Sequence, residues 1–201
     1  TEGNPINPDK KGAKWPAGST KSALQHDVKR NVTYVIANGK QTAPASVNDS
    51  LHYEAAATVD KVTGQVLTTA WGGTQSFKDV ATPAVKGYTA DKQNVSDKNI
   101  AHDHADIKEV VTYAPDAQKA TVTYIDQTTG KTLTVKTLTG HTLEDTGYNT
   151  TSDIKHYVDN GYDLVGDTSK GADIIFDDDD AADQAYTVTL KHGTVTVTPS
   201  D

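Results

Sequence analysis

Four consecutive aspartates form the densest group of potential metal ligands in the sequence. Carboxylate oxygens are the ligands that calcium prefers in proteins. The spacing differs from that of an EF-hand, because no glycine stands at the required turn and no glutamate closes the loop. A calcium site is one interpretation, and a solvated acidic loop that needs no cofactor is the other. The residues concerned are Asp177, Asp178, Asp179 and Asp180.

Two histidines form a second candidate metal site. His102 and His104 are two positions apart, so their imidazoles would lie on one face of an extended chain. Zinc usually takes four ligands in proteins, and no third or fourth ligand is evident in the sequence. The pair therefore predicts half of a zinc site, and an exposed polar loop is the alternative interpretation.

A small set of aromatic side chains could bind sugars. An aromatic ring stacks on a sugar ring, while Asn, Asp and Gln side chains form hydrogen bonds with the sugar hydroxyls. Core packing is the alternative for Trp71, because the chain has few large side chains. The candidate ligand-binding residues are Trp15, Trp71, Tyr88 and Tyr162.

The sequence lacks the motifs of catalysis and of nucleic-acid binding. It contains no nucleophile elbow, P-loop, dinucleotide fingerprint, zinc-protease helix or cysteine. We therefore expect no enzymatic activity, since a glycosidase, the alternative, would need paired carboxylates in a deep cleft. A net charge of -8, with Lys and Arg scattered singly, argues against nucleic acid and anionic membranes as partners.

The elements that would position these side chains are mostly β-strands. Alternating runs begin at Val28 and Leu51, and the turn at Asn38-Gly39 is a strong hairpin signal. A second hairpin loop is predicted at 60–64, where a glycine closes the turn. Between 74 and 99 the pattern weakens and predicts a short helix or an irregular crossing.

One helix is predicted in the second half of the chain. Thr151 or Ser152 can cap its N-terminus, and Asn160-Gly161 supplies a left-handed stop. A helix that crosses a mixed sheet of four or five strands gives the β-grasp arrangement, an α+β fold. The predicted apolar face of the helix contains Ile154, Tyr157 and Val158.

An ordered set of cues occurs twice in the sequence. NVTYVI at 31–36 and ATVTYID at 120–126 each lead to a Gly-Lys pair, then a Gly-Tyr pair, then a closing alternating strand. This order predicts two related modules, each near the ~100-residue size that can bury a workable core. We expect a linker segment at 1–26, a first domain at 27–114 and a second domain at 115–201.

The chain resembles the mucus-binding repeats of gut-colonising Gram-positive bacteria, and its second half resembles the mucin-binding protein domain that closes such repeats. In the first half the matching motifs are GNPINPD at 3–9, WPAG at 15–18, VKRNVTY at 28–34, VDKVTG at 59–64 with Trp71, and PAVKGY at 83–88. In the second half they are VTYID at 122–126 with GK at 130–131, GYDLV at 161–165, FD at 176–177 and LKH at 190–192. The order of these motifs carries the resemblance.

This resemblance implies a bacterial cell-surface adhesin, anchored to the cell wall through regions outside this segment. Each repeat would fold as two tandem ubiquitin-like β-grasp domains, strand-rich and with one short helix in each. The implied partners are host mucin glycoproteins and their glycans, with immunoglobulins as a second class of ligand and neighbouring repeats of the same chain as contacts. The alternative function is a structural spacer that extends a distal adhesive domain from the cell wall.

Overall fold

The computed structural model describes residues 1–8 and 12–200, and strands dominate these ranges. Residues 9–11 of the predicted linker, with the last residue of the GNPINPD motif, and residue 201 of the predicted second domain lie outside the described residues. The strands are β1 (Gln25–Ile36), β2 (Val47–Val59), β3 (Val66–Trp71), β4 (Val80–Ala81), β5 (Tyr88–Ala90), β6 (Asn94–Val95), β7 (Ile107–Pro115), β8 (Ala117–Asp126), β9 (Lys131–His141), β10 (Tyr162–Asp167) and β11 (Gln184–His192).

A single α-helix, α1 (Thr151–Asp159), accompanies these strands in the described ranges, together with short 3-10 turns at Ala17–Ser19 and Ser22–Leu24. The strand-rich α+β class that the sequence predicts is therefore confirmed. None of the helices in residues 1–8 and 12–200 is long and apolar enough to cross a membrane.

The chain forms two compact units whose segments alternate along the sequence. The first unit contains Thr1–Val35, Ala43–Pro83 and Lys92–Thr112. The second unit contains Ile36–Thr42, Ala84–Asp91 and Tyr113–Asp201. A five-stranded sheet has the order β3-β2-β1-β7-β5, and its strand β5 and the last residues of β1 and β7 are assigned to the second unit.

An antiparallel ribbon of β1, β2 and β3 builds the first unit. Gln25 of β1 lies opposite Glu54 of β2, and Ala55 of β2 lies opposite Trp71 of β3. The predicted hairpin loop at 60–64 joins β2 to β3, and Gly64 closes it with a φ of 75°. This register decides which side chains become neighbours across the ribbon.

The core of the first unit is small and includes an arginine. The alternating pattern of β1 turns Val28 inward, where it meets Tyr53, Phe77 and Ile100. Arg30 is also buried, at 1% exposure, and its guanidinium lies over the Phe77 ring at 4.6 Å from the ring centroid. The partly buried side chains that pack on this core are Leu51, Trp71 and Ile107.

The described residues of the first unit contain no α-helix, so the prediction of one short helix in each module is wrong here. The backbone between 75 and 82 bonds instead to the backbone between 93 and 100. The Phe77 amide donates to the Asp97 carbonyl at 2.9 Å, and the Thr82 amide donates to the Gln93 carbonyl at 3.1 Å. These bonds between two segments of the chain, together with the short strand pair β4 and β6, replace the local bonds of a helix. Of the two predicted alternatives for 74–99, the irregular crossing is therefore correct.

A mixed four-stranded sheet forms the second unit, in the order β10-β11-β8-β9. β11 pairs parallel with β8, whereas β9 and β10 pair antiparallel with their neighbours. Residues 174–176, between β10 and β11, belong to no strand and form an isolated bridge between Asp145 and Ile175. The buried core residues of this unit are Ala120, Val122, Tyr124, Ile174, Phe176, Val188 and Leu190.

The predicted helix is present as α1 and packs on this core. Its N-cap position is Thr150, one residue before the predicted caps, and Gly161 follows its end with a φ of 98°. Ile154 and Tyr157 pack against the core, whereas Val158 is 45% exposed. Two of the three predicted apolar positions therefore do the packing.

Candidate functional site

Trp71 and His102 form one wall of a cavity in the first unit. Their rings stack with centroids 4.4 Å apart and planes 5° from parallel. The cavity has a volume of about 380 Å³ and combines aromatic rings with amide, hydroxyl and carboxylate groups. It is lined by Ser22, Ala23, Gln25, His26, Trp71, His102 and Asp103.

Two backbone features hold these rings in place. Trp71 is the last residue of β3, and it packs on the core of the first unit. The loop that carries His102 is fixed by a bridge in which the Ile100 amide donates to the Gln75 carbonyl at 2.7 Å. Strand pairing on one side and a bridged loop on the other therefore bring the indole and the imidazole together.

A second cavity of about 240 Å³ continues the first. It shares Ser22, Gln25 and His26 with the first cavity and adds Asp27 and His52. We call the two cavities together the Trp71 groove. Its residues are Ser22, Ala23, Gln25, His26, Asp27, His52, Trp71, His102 and Asp103.

His52 is held between two carboxylates at one end of the Trp71 groove. Its Nδ1 lies 2.6 Å from Asp27 Oδ1, and its Nε2 lies 3.2 Å from Glu54 Oε1. Hydrogen bonding to Asp27, and next to Glu54, raises the pKa of His52 above its ordinary value of 6.5. Gln25 Nε2 donates to the same Glu54 oxygen at 3.3 Å, so this end of the groove is a linked polar network.

Sequence reasoning missed most members of this groove, among them Gln25, Asp27 and His52. The register of β1 and β2 places Asp27 opposite His52 and Gln25 opposite Glu54. Alternation within each strand would have put these residues on one face of the sheet. The register between the two strands was the missing information, because a shift of one residue in the pairing of β1 with β2 would have separated Asp27 from His52.

The other predicted ligand-binding aromatics do not line the Trp71 groove. Trp15 is partly buried, and its amide donates to the Asn4 carbonyl at 2.9 Å. Tyr88 is 8% exposed, and its hydroxyl donates to Asn38 Oδ1 at 2.9 Å. Tyr162 packs edge-on against Tyr157 and against the ring of His192. Of the four, only Trp71 lines this groove, and the ligand-binding role of the other three stays a prediction.

The four consecutive aspartates have separate partners within the second unit. Asp178 lies 3.5 Å from Lys86 Nζ, and Asp180 accepts a hydrogen bond from Gln118 Nε2 at 2.6 Å. Asp177 and Asp179 each accept a bond from a backbone amide two residues ahead. A carboxyl contact with Asp116 raises the pKa of Asp180. The calcium interpretation of this run stays a prediction.

The histidine pair is also divided between different contacts. His102 stacks on Trp71, whereas His104 Nδ1 lies 2.6 Å from the Ala105 carbonyl oxygen. Within residues 1–8 and 12–200, no group of three or more His, Cys, Asp or Glu side chains is placed to hold a metal ion. The side chains of the Trp71 groove thus offer hydrogen bonding and ring stacking to a ligand.

Two larger cavities lack an aromatic ring. One, of about 410 Å³, lies on the sheet of the first unit near Lys29, Asn48 and Lys108. The other, of about 480 Å³, lies beside α1 near Ile154 and Leu164 in the second unit. Neither offers the combination of a flat ring and convergent polar groups that the Trp71 groove provides.

Two protein families match adjoining parts of the chain. Residues 19–117 match the Muc B2-like domain, and residues 118–192 match a mucin binding domain. No curated protein sequence matches the chain. The Trp71 groove lies within the first of the two matched ranges.

Solved structures of related proteins cover parts of the chain. The chain is similar to Mub-RV, with 29% identity and a TM-score of 0.43 over 49% of this chain and 57% of that chain. It is similar to the type 2 repeat of the mucus binding protein MUB from Lactobacillus reuteri, with 42% identity and a TM-score of 0.34 over 38% of this chain and 41% of that chain. The mucin-binding domain of a Streptococcus pneumoniae protein is 24% identical, with a TM-score of 0.41, over 45% of this chain and 91% of that chain.

The resemblance found in the sequence is confirmed by the two family matches, which follow one another from residue 19 to residue 192. These families point to binding rather than to chemical transformation. The chain belongs to the Mub-type mucin-binding repeats, with a Muc B2-like domain followed by a mucin binding domain.

Proposed function

We propose that this chain is a repeat of a bacterial cell-surface adhesin that binds host mucin glycoproteins, and that the Trp71 groove takes a sugar of the mucin glycans. The observation that carries the proposal is the stacked pair of Trp71 and His102 in a cavity with polar walls. A rigid aromatic ring beside a few hydrogen-bonding groups is a common arrangement for binding small polar ligands.

The polar groups of the groove favour a sugar with free hydroxyls. Asp103 beside the indole and Asp27 at the far end supply carboxylate oxygens that accept hydrogen bonds from hydroxyl groups. Gln25 lies between these two ends and can donate and accept. These carboxylates would repel an acidic sugar, so we expect a neutral sugar at this position.

We propose two tandem ubiquitin-like β-grasp domains, at 27–114 and 115–201, after a linker segment at 1–26. The mixed sheet of the second unit with α1 packed on it supports this assignment for the second domain. In the first domain the irregular crossing at 74–99 takes the place of the helix.

The setting we propose is the outer surface of the cell, with anchoring to the cell wall through regions outside this segment. The repeat acts by binding and catalyses no reaction. It requires no cofactor, and its contacts include neighbouring repeats of the same chain. Because the binding surface of one repeat is small, repetition along the adhesin would raise the overall affinity.

Surface plasmon resonance on mucin tests the proposal. The 201-residue chain would flow over intact mucin, enzymatically deglycosylated mucin and immunoglobulin in parallel channels. We expect binding to intact mucin and loss of binding after deglycosylation. Binding to immunoglobulin alone would instead indicate protein recognition, and silence in all channels would favour the spacer function.

Variants of the groove localise the site. Trp71→Ala should weaken mucin binding by about tenfold or more, as expected for a buried aromatic contact. Gln25→Ala serves as a second groove variant that leaves the core untouched. Val62→Ala is the matched control, because Val62 is 85% exposed in the loop between β2 and β3. Equal mucin binding by all three variants would place the ligand elsewhere.

A further inference from the structure

The first and last strands of the four-stranded sheet in the second unit are parallel neighbours. They pair from Gln184 of β11 opposite Ala120 of β8 to Leu190 opposite Asp126. Both are interior strands, since the order of this sheet is β10-β11-β8-β9. The polypeptide therefore enters and leaves this sheet through two adjacent strands that run in the same direction.

This arrangement decides how the sheet would respond to tension along the chain. The start of β8 and the end of β11 lie at opposite ends of their shared ladder, because the two strands are parallel. Pulling these two points apart would slide one strand along the other, so all the cross-strand hydrogen bonds would resist together. The antiparallel pair β8 and β9 differs, because Ala117 lies opposite His141 at one end of the ladder. Pulling at that end would break the bonds one after another.

The inward faces of β8 and β11 are shielded from water. Val122 and Tyr124 of β8 and Val188 and Leu190 of β11 are fully buried, at 0% exposure. In a low-dielectric interior a backbone hydrogen bond is stronger than in water. Close packing also means that the strands cannot slide without displacing the side chains between them.

Side-chain and loop contacts fasten the end of β11 to the end of β8. His192 Nε2 lies 2.8 Å from Oδ2 of Asp126, whose side chain is buried. The His192 amide donates to Thr128 Oγ1 at 2.9 Å, and the Gln127 amide donates to the Leu190 carbonyl at 2.7 Å. The last residue of β11 is thus held at the point where tension would reach it.

We propose that β8, β11 and the Asp126–His192 contact form a force-bearing clamp, which keeps the second unit folded when the chain is pulled along its length. This is a mechanical function in addition to mucin binding. It rests on the proposed anchoring to the cell wall, because a chain held at one end and bound to mucin elsewhere is under tension. Its test needs neither mucin nor a cell wall, so failure of the clamp and failure of mucin binding are distinguishable.

Single-molecule force spectroscopy of the full 201-residue chain tests the clamp in two directions of pulling. The chain has no cysteine, so handles can be attached at introduced cysteines. Lys119→Cys with Thr194→Cys loads β8 against β11 along their length. Lys119→Cys with Thr139→Cys instead peels β9 from β8, because these two exposed residues lie opposite each other.

We expect a higher rupture force along the β8–β11 pair than across the β8–β9 pair, although the β8–β9 ladder is the longer. Forced unfolding is governed by the unfolding barrier, and simultaneous rupture raises that barrier, so the difference should be about twofold or more at one loading rate. Release of about 25 nm of chain would identify rupture of the segment between residues 119 and 194. Equal forces in the two directions, or a lower force along β8 and β11, would overturn the proposal.

Removal of the imidazole tests the fastening contact. His192→Ala should lower the force along β8 and β11 by about a tenth to a third, because a charge-assisted hydrogen bond at the loaded end is lost. The force that peels β9 from β8 should stay unchanged. His156→Ala is the matched control, since His156 is exposed on α1 and away from both strands. Equal forces for His192→Ala and His156→Ala would exclude the Asp126–His192 contact from the clamp.

Discussion

The imidazole of His102 lies flat on the indole of Trp71, with ring centroids 4.4 Å apart. This contact joins a strand end to a loop that is 31 residues later in the chain. One face of the indole is thereby covered, and its orientation in the Trp71 groove is set by the partner ring. The imidazole also lies at a cavity wall, where it can be removed while Trp71 still packs on the core.

Removing the imidazole should weaken mucin binding while the fold persists. A stacked pair contributes about 0.5–1.5 kcal/mol beyond the area it buries, so His102→Ala should raise the dissociation constant about two- to tenfold. Surface plasmon resonance on mucin measures this change. His104→Ala is the matched control, because His104 lies in the same loop and contacts a backbone carbonyl instead. Equal affinities for the two variants would contradict a role for the stack.

The titration of His52 should report its two carboxylate neighbours. Its pKa should lie above 6.5 in the native chain and should fall toward that value in Asp27→Asn, because Asp27 is the larger cause of the shift. Histidine Cε1 proton shifts followed by NMR against pH measure both values. Since the folded state holds the proton more tightly, the stability gained from His52 is complete below pH 6.5 and is lost as pH rises through the raised pKa. An unchanged titration in Asp27→Asn would contradict the assigned pair.

Asp180 should make the second unit more stable as the pH falls. Its pKa is raised by the carboxyl contact with Asp116, so the folded state binds this proton more tightly than the unfolded state. The stability that comes from this proton is therefore present below the unfolded pKa and is lost as pH rises through the folded pKa. Asp180→Asn should raise the thermal midpoint at pH 7. At pH 4 the thermal midpoints of Asp180→Asn and the native chain should differ by less than they do at pH 7. Asp183→Asn, in the same loop, is the control; identical pH profiles for the native chain and Asp180→Asn would refute the pairing.

Arg30 should be essential to the first unit. It is buried, and its guanidinium lies 2.6 Å from Asp49 and 3.1 Å from Asp97. Arg30→Met should lower the free energy of unfolding by about 3–5 kcal/mol, because two partly buried carboxylates lose the buried counter-charge that they share. Urea unfolding followed by fluorescence measures the loss. Lys29→Met is the control, at the exposed position immediately before Arg30 in β1. It should change the free energy of unfolding by less than about 0.5 kcal/mol.

Chelation of calcium should leave mucin binding unchanged. The carboxylates of Asp178 and Asp180 already contact Lys86 and Gln118, so these side chains have partners without an ion. Mucin binding and the thermal midpoint would be measured with EDTA and with added calcium. A rise in the thermal midpoint with calcium that is lost in Asp178→Asn would instead establish the calcium site at 177–180.

Local patterns predicted the elements that depend on local interactions. α1 was predictable because its apolar positions, its acidic first turn at Asp153 and its glycine stop all lie within a dozen residues. The hairpin loop at 60–64 was predictable for the same reason, since Asp60 bonds the amides of Val62 and Thr63 within the turn. The crossing at 74–99 was less predictable. Its backbone groups bond to partners about twenty residues away in the sequence, and such pairing leaves no periodic signal.

The sequence by itself determined that this chain is strand-rich and has a helix in its second half, since alternation, turn glycines and capping residues are all properties of short segments. The tertiary structure decided which side chains share the Trp71 groove. Asp27 meets His52 through the register of β1 and β2, and His102 meets Trp71 through the path of a bridged loop. Both contacts are set by pairing between segments that are distant in the sequence. A shift of one residue in the register of β1 and β2 would have turned Asp27 and His52 to opposite faces of the sheet.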